Sequence, residues 1–150
     1  MEIRRATLAD LPAIDRIEQH VFDDAWARDE IRQVLSENSG VRTWVLELDD
    51  EVIGYLMTHE GNEKVHVLNF AVDLPWQHRG WGKRLLEYYL AKLPETAEVE
   101  LEVKRSNWPA IRLYLNEGFT PAEVRPRYYP DGEDALVFRK FVSTSAGISE

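Results

Sequence analysis

The side chains best suited to acid–base chemistry lie in the second half of the chain. Glu98, Glu100 and Glu102 share the polar face of the alternating segment 98–104, and Tyr114 follows in an apolar helical pattern. A carboxylate can accept a proton, and a phenol with a pKa of about 10 can donate one. Three like charges on one face should raise the pKa of at least one glutamate. The plainer alternatives are a solvated strand edge and a tyrosine packed in the core.

A second feature is a pair of glycines between a strand pattern and a helix pattern. The segment consists of Gln77, His78, Arg79, Gly80, Trp81, Gly82 and Lys83. Glycines at a helix start let a ligand approach the backbone, and the helix dipole adds positive charge to that of Arg79 and Lys83. The segment therefore predicts a binding site for a pyrophosphate. A turn that needs glycine only for its geometry would show the same sequence pattern, so this alternative stays open. The Rossmann fingerprint and the Walker loop do not fit, because a third glycine and a Gly-Lys-Ser or Gly-Lys-Thr are missing.

Hydrophobic periodicity and turn residues predict the elements that position these side chains. Strands are predicted at 3–6, 43–48, 52–59, 64–72, 98–104, 120–125 and 135–141. Helices are predicted after Asp10 as N-cap, at 27–36, at 80–93, and from Asn107 as N-cap to Gly118. This mixture predicts an α+β fold, an α/β sandwich with helices packed on a largely antiparallel sheet.

Composition narrows the class of protein. The 150 residues, 44% of them hydrophobic and 30% charged, predict one globular domain, with no apolar run long enough for a membrane span. The absence of cysteine excludes a disulfide framework, a thiolate metal site and a cysteine nucleophile. No histidine spacing suits a metal, so no metal is expected. A net charge of −9 disfavours direct contact with nucleic acid or an anionic membrane, and a cytoplasmic protein is expected.

The glycine loop and its sequence context resemble the GNAT superfamily of acyl-CoA-dependent N-acetyltransferases. That context is Leu68 to Asp73 before the loop, then Leu101-Glu102-Val103, Ser106-Asn107 and Ala110 to Phe119 after it. The resemblance covers residues 1 to about 142 and implies one domain over 1–142. It also implies a mixed, mostly antiparallel central sheet with helices on both faces, and acetyl-CoA as co-substrate. The small and polar residues of 143–150 predict a disordered tail.

The resemblance also implies roles for individual residues. Glu102 matches the general base and Tyr114 the general acid, while Glu100 remains the rival base. Asn107, besides capping a helix, matches a contact to the pantetheine arm. The strand residues Phe70, Ala71 and Val72 match the backbone that pairs with pantetheine, and 77–83 match the pyrophosphate loop. Since no cysteine is available for a covalent intermediate, direct attack of the amine in a ternary complex is expected.

A narrower signature points to the acceptor. Arg127-Tyr128-Tyr129-Pro130, followed by Gly132-Glu133-Asp134-Ala135, resembles the protein N-terminal acetyltransferases, especially those that modify ribosomal-protein alanines. The implied acceptor is the α-amine of a protein, possible targets including a ribosomal protein. The predicted acceptor contacts are Trp26, Asn69, Tyr128 and Tyr129. The two adjacent tyrosines should face opposite ways if their segment is extended.

Two alternatives stay open at this point. One is a lysine or small-amine N-acetyltransferase on the same fold, and the other is a non-catalytic acyl-CoA-binding module. The sequence at the acceptor side departs from the family, since Ala25-Trp26-Ala27 stands where Pro-Trp-Ser is common, so the second helix loses a serine cap. Core packing of Trp26 is therefore as well supported as substrate contact.

Overall fold

The computed structural model describes residues 1–62 and 64–142. Contacts within the chain divide it into two compact units. The N-terminal unit contains Met1–Glu60 and Leu68–Ala91, and the C-terminal unit contains Gly61–Val67 and the described residues from Lys92 onward. No helix among the described residues has the length and apolar character that crossing a membrane requires. The predicted tail at 143–150 lies outside the described residues.

The elements follow the sequence pattern closely. The helices are α1 (Leu11–Val21), α2 (Arg28–Leu35), α3 (Trp81–Leu90) and α4 (Trp108–Asn116). The strands are β1 (Glu2–Arg5), β2 (Val41–Leu48), β3 (Glu51–Glu60), β4 (Lys64–Val72), β5 (Glu98–Lys104), β6 (Thr120–Arg125) and β7 (Ala135–Phe141). The bounds of β4 to β7 are those predicted, whereas α3 ends three residues earlier than expected.

The strands form a mixed sheet in the order β1-β2-β3-β4-β5-β7-β6. The pairs β1–β2, β2–β3, β5–β7 and β6–β7 are antiparallel, and β4 pairs with β5 in parallel. Asp49 and Asp50 join β2 to β3 with φ values of 51° and 63°, the left-handed geometry of a tight hairpin turn. The predicted α+β class, with a mixed and largely antiparallel sheet, is confirmed.

The N-terminal unit has a core in which α1 and α2 pack on β2 and β3. Ile14, Ile17 and Ile31 of the helices are fully buried, as are Val45 and Tyr55 of the strands. Seven consecutive residues of β3, from Val52 to Thr58, are buried, which is typical of a strand covered on both faces.

The C-terminal unit has its own apolar core. It is built by alternate residues of β5, by Phe138 of β7, which pairs with Leu101, by the inner face of α4 and by Phe119 after that helix. The buried side chains are Val99, Leu101, Val103, Ile111, Tyr114, Phe119 and Phe138. The paired registers of β5 with β4 and with β7 fix the glutamates of β5 on the other face.

Two of the predicted helix starts have different outcomes. Asn107 caps α4, because its side-chain oxygen accepts the Ala110 N–H at 3.3 Å. Asp10 occupies the N-cap position of α1, as predicted, but its side chain makes no capping hydrogen bond to that helix. Its carboxylate instead accepts two hydrogen bonds from Arg4, each at 2.9 Å, and one from the Thr7 N–H at 2.8 Å.

Candidate active site

The glycine loop of the N-terminal unit leads from the end of β4 into α3. Gly80 has a φ of +86° and caps the helix, and a Cβ at this position would meet nothing within 4 Å. His78 also has a positive φ, at 63°. The Gln77 side chain donates to the Val72 carbonyl at 2.8 Å, which ties the loop to the end of β4. The backbone is therefore bent and open at the point where the sequence predicts a ligand.

The loop is suited to an anion. The helical ladder of α3 opens with the bond from the Arg84 N–H to the Gly80 carbonyl, and helix geometry leaves the N–H groups of Trp81, Gly82 and Lys83 without an intrahelical acceptor. Arg79 is exposed and stacks over Trp76, with 5.6 Å between guanidinium and ring centre. Exposed cations beside oriented amides fit a pyrophosphate group.

The end of β4 carries the predicted pantetheine contacts. Ala71 is buried, while Phe70 and Val72 are half-buried. A Cβ on Gly54 of β3 would lie only 3.0 Å from the Ala71 carbonyl oxygen, so glycine there lets β3 approach this part of β4. Beyond the strand, the buried carboxylate of Asp73 accepts the Leu74 N–H at 2.9 Å and lies 3.1 Å from His20 Nδ1, which holds the start of the loop.

Glu102, the predicted base, lies in the C-terminal unit beside a histidine that sequence reasoning passed over. The Nε2 atom of His66 lies 2.7 Å and 2.9 Å from the two carboxylate oxygens. Arg125 Nη1 of β6 approaches the same carboxylate at 3.4 Å. The Glu102 side chain is 9% exposed, so it combines restricted solvent access with two partners.

Glu100, the rival base, is held in a different environment. Arg139 donates to its carboxylate at 2.8 Å, and Lys64 Nζ lies 3.8 Å away. Burial disfavours the charged form, but the Arg139 hydrogen bond and the Lys64 charge outweigh it and lower the pKa of Glu100. The neighbouring glutamates therefore do not raise the pKa of Glu100, because cations from β4 and β7 offset their charges.

His66, Glu100 and Glu102 bring their potential ligand atoms within 4.8 Å of one another. Such a group could hold a metal ion, but each carboxylate already faces a guanidinium, from Arg139 or Arg125. Positive side chains at these distances oppose a divalent cation and satisfy the carboxylates without one. The arrangement is therefore that of an ion-pair network.

Tyr114, the predicted acid, combines a packed ring with a perturbed hydroxyl. The residue is 6% exposed, and its ring packs against Phe119 and Phe138 with centroid distances of 5.6 Å and 6.2 Å. Burial, with a smaller contribution from Tyr129, raises the pKa of Tyr114 above its ordinary value. The hydroxyl thus stays protonated at neutral pH, which a proton donor requires. Both sequence interpretations, core tyrosine and acid, fit this placement.

A buried carboxylate that the sequence analysis missed organises two predicted acceptor contacts. Glu18 of α1 is 1% exposed and accepts the backbone N–H of Trp26 at 3.0 Å. The Asn69 side-chain amide donates to Glu18 at 2.7 Å, and the Tyr55 hydroxyl donates to it as well. Burial raises the pKa of Glu18 despite these hydrogen bonds. The signal in the sequence was a glutamate within the apolar stripe of α1.

Trp26 itself is half-buried and packs against the core of its unit. Ala27 at the N-cap of α2 has no side-chain oxygen for a first-turn N–H, and only the reciprocal bond forms, in which the Glu30 carboxylate accepts the Ala27 N–H at 2.8 Å. Trp26 is thus fixed by its backbone amide and by its ring. Both the packing interpretation and the acceptor interpretation fit this position.

Tyr128 and Tyr129 lie beside a turn and not in an extended strand, so the condition under which the two rings would face opposite ways is not met. The rings touch edge to face with centroids 5.1 Å apart. A hydrogen bond from the Gly132 N–H to the Tyr129 carbonyl, at 2.8 Å, and the Gly132 φ of +87° close the turn. Tyr128 is exposed and Tyr129 is half-buried, which leaves one ring available at the surface.

The acidic part of this signature has a structural use. Glu133 accepts the Ser106 N–H at 2.7 Å, and Asp134 accepts the Arg127 N–H at 3.1 Å. The first bond holds the approach to Asn107 and α4, and the second closes the turn before Tyr128. These residues therefore position neighbouring predicted contacts.

The sequence model of the acetyltransferase (GNAT) family matches residues 7–119. The chain is 36% identical over 135 residues to a [ribosomal protein bS18]-alanine N-acetyltransferase of Salmonella typhimurium, covering 85% of this chain and 88% of that protein. It is 34% identical over 151 residues to an N-alpha-acetyltransferase of Sulfolobus acidocaldarius, covering 91% and 89%.

A solved structure of a similar enzyme has the same fold as this chain. The crystal structure of the ribosomal-protein-S18-alanine N-acetyltransferase from Escherichia coli matches with a TM-score of 0.87 and 31% identity, over 95% of this chain and 94% of that one. The match over most of the chain agrees with the mixed sheet. The chain belongs to the acetyltransferase (GNAT) family and is an N-acetyltransferase that takes its acetyl group from acetyl-CoA.

Proposed function

We propose that this enzyme acetylates the N-terminal α-amine of a protein, with a ribosomal protein as its acceptor. The observation that carries the proposal is the similarity, at 36% and 34% identity, to one bacterial and one archaeal relative. The first is named for the alanine of a ribosomal protein, and the second for the α-amine. Ribosomal proteins are made in the cytoplasm, so the proposed reaction takes place there.

The proposed reaction is direct attack of the amine on the thioester. An α-amine has a pKa of about 8, so a positioned carboxylate is a sufficient proton acceptor near neutral pH. Glu102 is the proposed acceptor because Glu100 is neutralised by Arg139 at 2.8 Å. Tyr114, whose phenol stays protonated, is the proposed donor to the departing thiolate.

The proposed contacts to acetyl-CoA follow from the backbone in each unit. In the N-terminal unit, the pyrophosphate binds to the backbone N–H groups of residues 81–83 and to the positive side chains of Arg79 and Lys83. The backbone of residues 70–72 forms hydrogen bonds with pantetheine. In the C-terminal unit, Asn107 is the proposed pantetheine contact. Its Oδ1 is used by the Ala110 N–H, which leaves the side-chain amide as the group that donates.

The proposed acceptor contacts are aromatic and amide groups. Tyr128 offers an exposed ring, and Tyr129 supports it from the side. Trp26 and Asn69 are held by Glu18. A net charge of −9 favours a basic partner, which suits a ribosomal protein.

A pair of peptides separates this proposal from side-chain acetylation. One peptide carries a free N-terminal alanine and no lysine. Its partner has the same sequence with a blocked N-terminus and one internal lysine. We expect acetylation of the first peptide only, read by mass spectrometry after incubation with acetyl-CoA. Acetylation of the lysine peptide alone would replace the proposal with a lysine acetyltransferase.

A further inference from the structure

The pairing of β4 with β5 brings the His66 side chain next to the Glu102 carboxylate. His66 lies on β4 in register with Glu100 of β5, one pleat before Glu102 on the same side. Its Nε2 atom reaches both oxygens of the Glu102 carboxylate, at 2.7 Å and 2.9 Å. The imidazole is 35% exposed, so protons can pass between it and solvent.

The charged groups around His66 come from three other strands and from β4 itself. Glu100 and Glu102 face it from β5, and Arg125 faces it from β6. Glu100 is in turn paired with Arg139 of β7 and Lys64 of β4. The hydrogen bond to Glu102 is the largest influence on His66, and it raises the pKa of the imidazole despite partial burial.

This geometry makes the two side chains one proton-binding unit. When the imidazole is protonated, the Glu102 carboxylate is bound by a full positive charge on one side and by Arg125 on the other. A carboxylate bound in this way is a poor acceptor for a further proton. When the imidazole is neutral, the pair can accept one proton from the attacking amine and later return it to solvent.

We propose that His66 is a positioning residue that orients Glu102 and decides, by its own protonation, when Glu102 can accept the proton of the amine. The inference rests on the proposed assignment of Glu102 as base. In each turnover the N–C bond forms, the C–S bond breaks, one amine proton moves to the His66–Glu102 pair, and the thiolate is protonated by Tyr114. One proton then leaves the pair and one restores Tyr114, so no other reactant is needed.

The pH dependence of kcat/KM tests the inference. The wild-type enzyme reacts only after two groups have lost a proton, the amine of the peptide and the His66–Glu102 pair. At low pH, a plot of log kcat/KM against pH should therefore rise with a limiting slope of about 2. His66→Gln keeps a donor for Glu102 but cannot titrate in this range. We expect its slope to fall to about 1, with an unchanged peptide KM. His59→Gln, an exposed histidine on β3, is the matched control and should keep the wild-type profile.

A second measurement does not depend on turnover. The His66 imidazole signal, assigned by its loss in His66→Gln, should titrate above the ordinary histidine pKa of about 6.5 in the wild-type protein and return towards that value in Glu102→Gln. Parallel pH profiles of wild type and His66→Gln would overturn the inference while leaving the acetyltransferase assignment intact. Absence of any peptide acetylation by the wild type would overturn the proposed function, and this inference with it.

Discussion

Glu100 and Glu102 lie two residues apart on one strand, yet their neighbours give them different chemistry. Arg139 and Lys64 hold Glu100 as a charged, engaged carboxylate with a lowered pKa. Glu102 instead faces His66 and a more distant Arg125. The pattern of alternating residues predicted that both lie on one face, but the cations come from strands far away in the sequence. The difference between the surroundings of the two carboxylates is therefore visible only in the folded structure.

Glu102→Gln should lower kcat by about 100- to 10,000-fold, because it removes the proton acceptor and keeps the size of the side chain. Acetyl-CoA affinity, measured by calorimetry, should stay nearly unchanged. Glu100→Gln is the matched control on the same strand and should retain most of the activity. The reverse pattern, with the loss at Glu100 and none at Glu102, would show that the base is Glu100.

Tyr114→Phe should lower kcat by about 100-fold or more while leaving both substrate affinities intact, because only the proton donor is deleted. The ring contacts with Phe119 and Phe138 survive, so the melting temperature should change little. The deficit should shrink with an acyl donor whose leaving thiol is more acidic. Near-normal turnover in a folded variant would reduce Tyr114 to a packing residue.

At the scale of elements, the start of α3 is the part of the site that sequence describes best. Gly80 stands at the helix start that the sequence pattern predicts, with a positive φ that favours glycine. The side-chain contacts around the loop were not predictable. Asp10 is another side chain whose contacts the sequence did not predict. The pattern assigned its carboxylate to a helix cap, but the carboxylate accepts hydrogen bonds from Arg4.

Gly82→Val should weaken acetyl-CoA binding at least tenfold, about 1.4 kcal/mol, because the branched side chain stands where the ligand approaches the amides. Glu87→Val, at an exposed position of the same helix, controls for the lower helix propensity of valine and should bind normally. Isothermal calorimetry measures both. Equal affinities in the two folded variants would remove the loop as the pyrophosphate site.

The connection between α1 and α2 is held by one buried carboxylate. Glu18→Ala removes the acceptor of the Trp26 N–H, of Asn69 and of Tyr55. Buried donors left without an acceptor each cost about 1–3 kcal/mol, so the free energy of unfolding should fall by at least about 2 kcal/mol. The peptide KM should rise because Trp26 and Asn69 lose their support. Denaturant titration and peptide kinetics measure the two effects separately.

Glu18→Gln tests the protonation state of Glu18 through the pH dependence of the free energy of unfolding. Because burial raises the pKa of Glu18, the native state binds its proton more tightly than the unfolded chain does. The free energy of unfolding should therefore fall as pH rises from the ordinary glutamate value of about 4.3 through the higher native value. In Glu18→Gln this contribution should vanish. An identical pH slope in both proteins would contradict the assigned protonation behaviour.

At the scale of the whole molecule, the alternation and the turn residues predict the class of fold well. The bounds of 98–104 were predictable because charged and apolar residues alternate along the whole strand, and the start of 135–141 was predictable because its apolar run follows Gly132-Glu133-Asp134. Glu18 and His66 were missed for a physical reason. Each acts through a partner more than 30 residues away, Tyr55 for Glu18 and Glu102 for His66, and no local pattern records such contacts.

The central claim is that this N-acetyltransferase modifies the α-amine of a ribosomal protein. The most direct test incubates the enzyme and isotope-labelled acetyl-CoA with unmodified bacterial ribosomal proteins, and locates the label by peptide mass spectrometry. Glu102→Gln, assayed in parallel, corrects for non-enzymatic acetylation. The account predicts label on the N-terminal residue of one or a few ribosomal proteins, dependent on Glu102. Label confined to lysine side chains, or equal label with both enzymes, would contradict it.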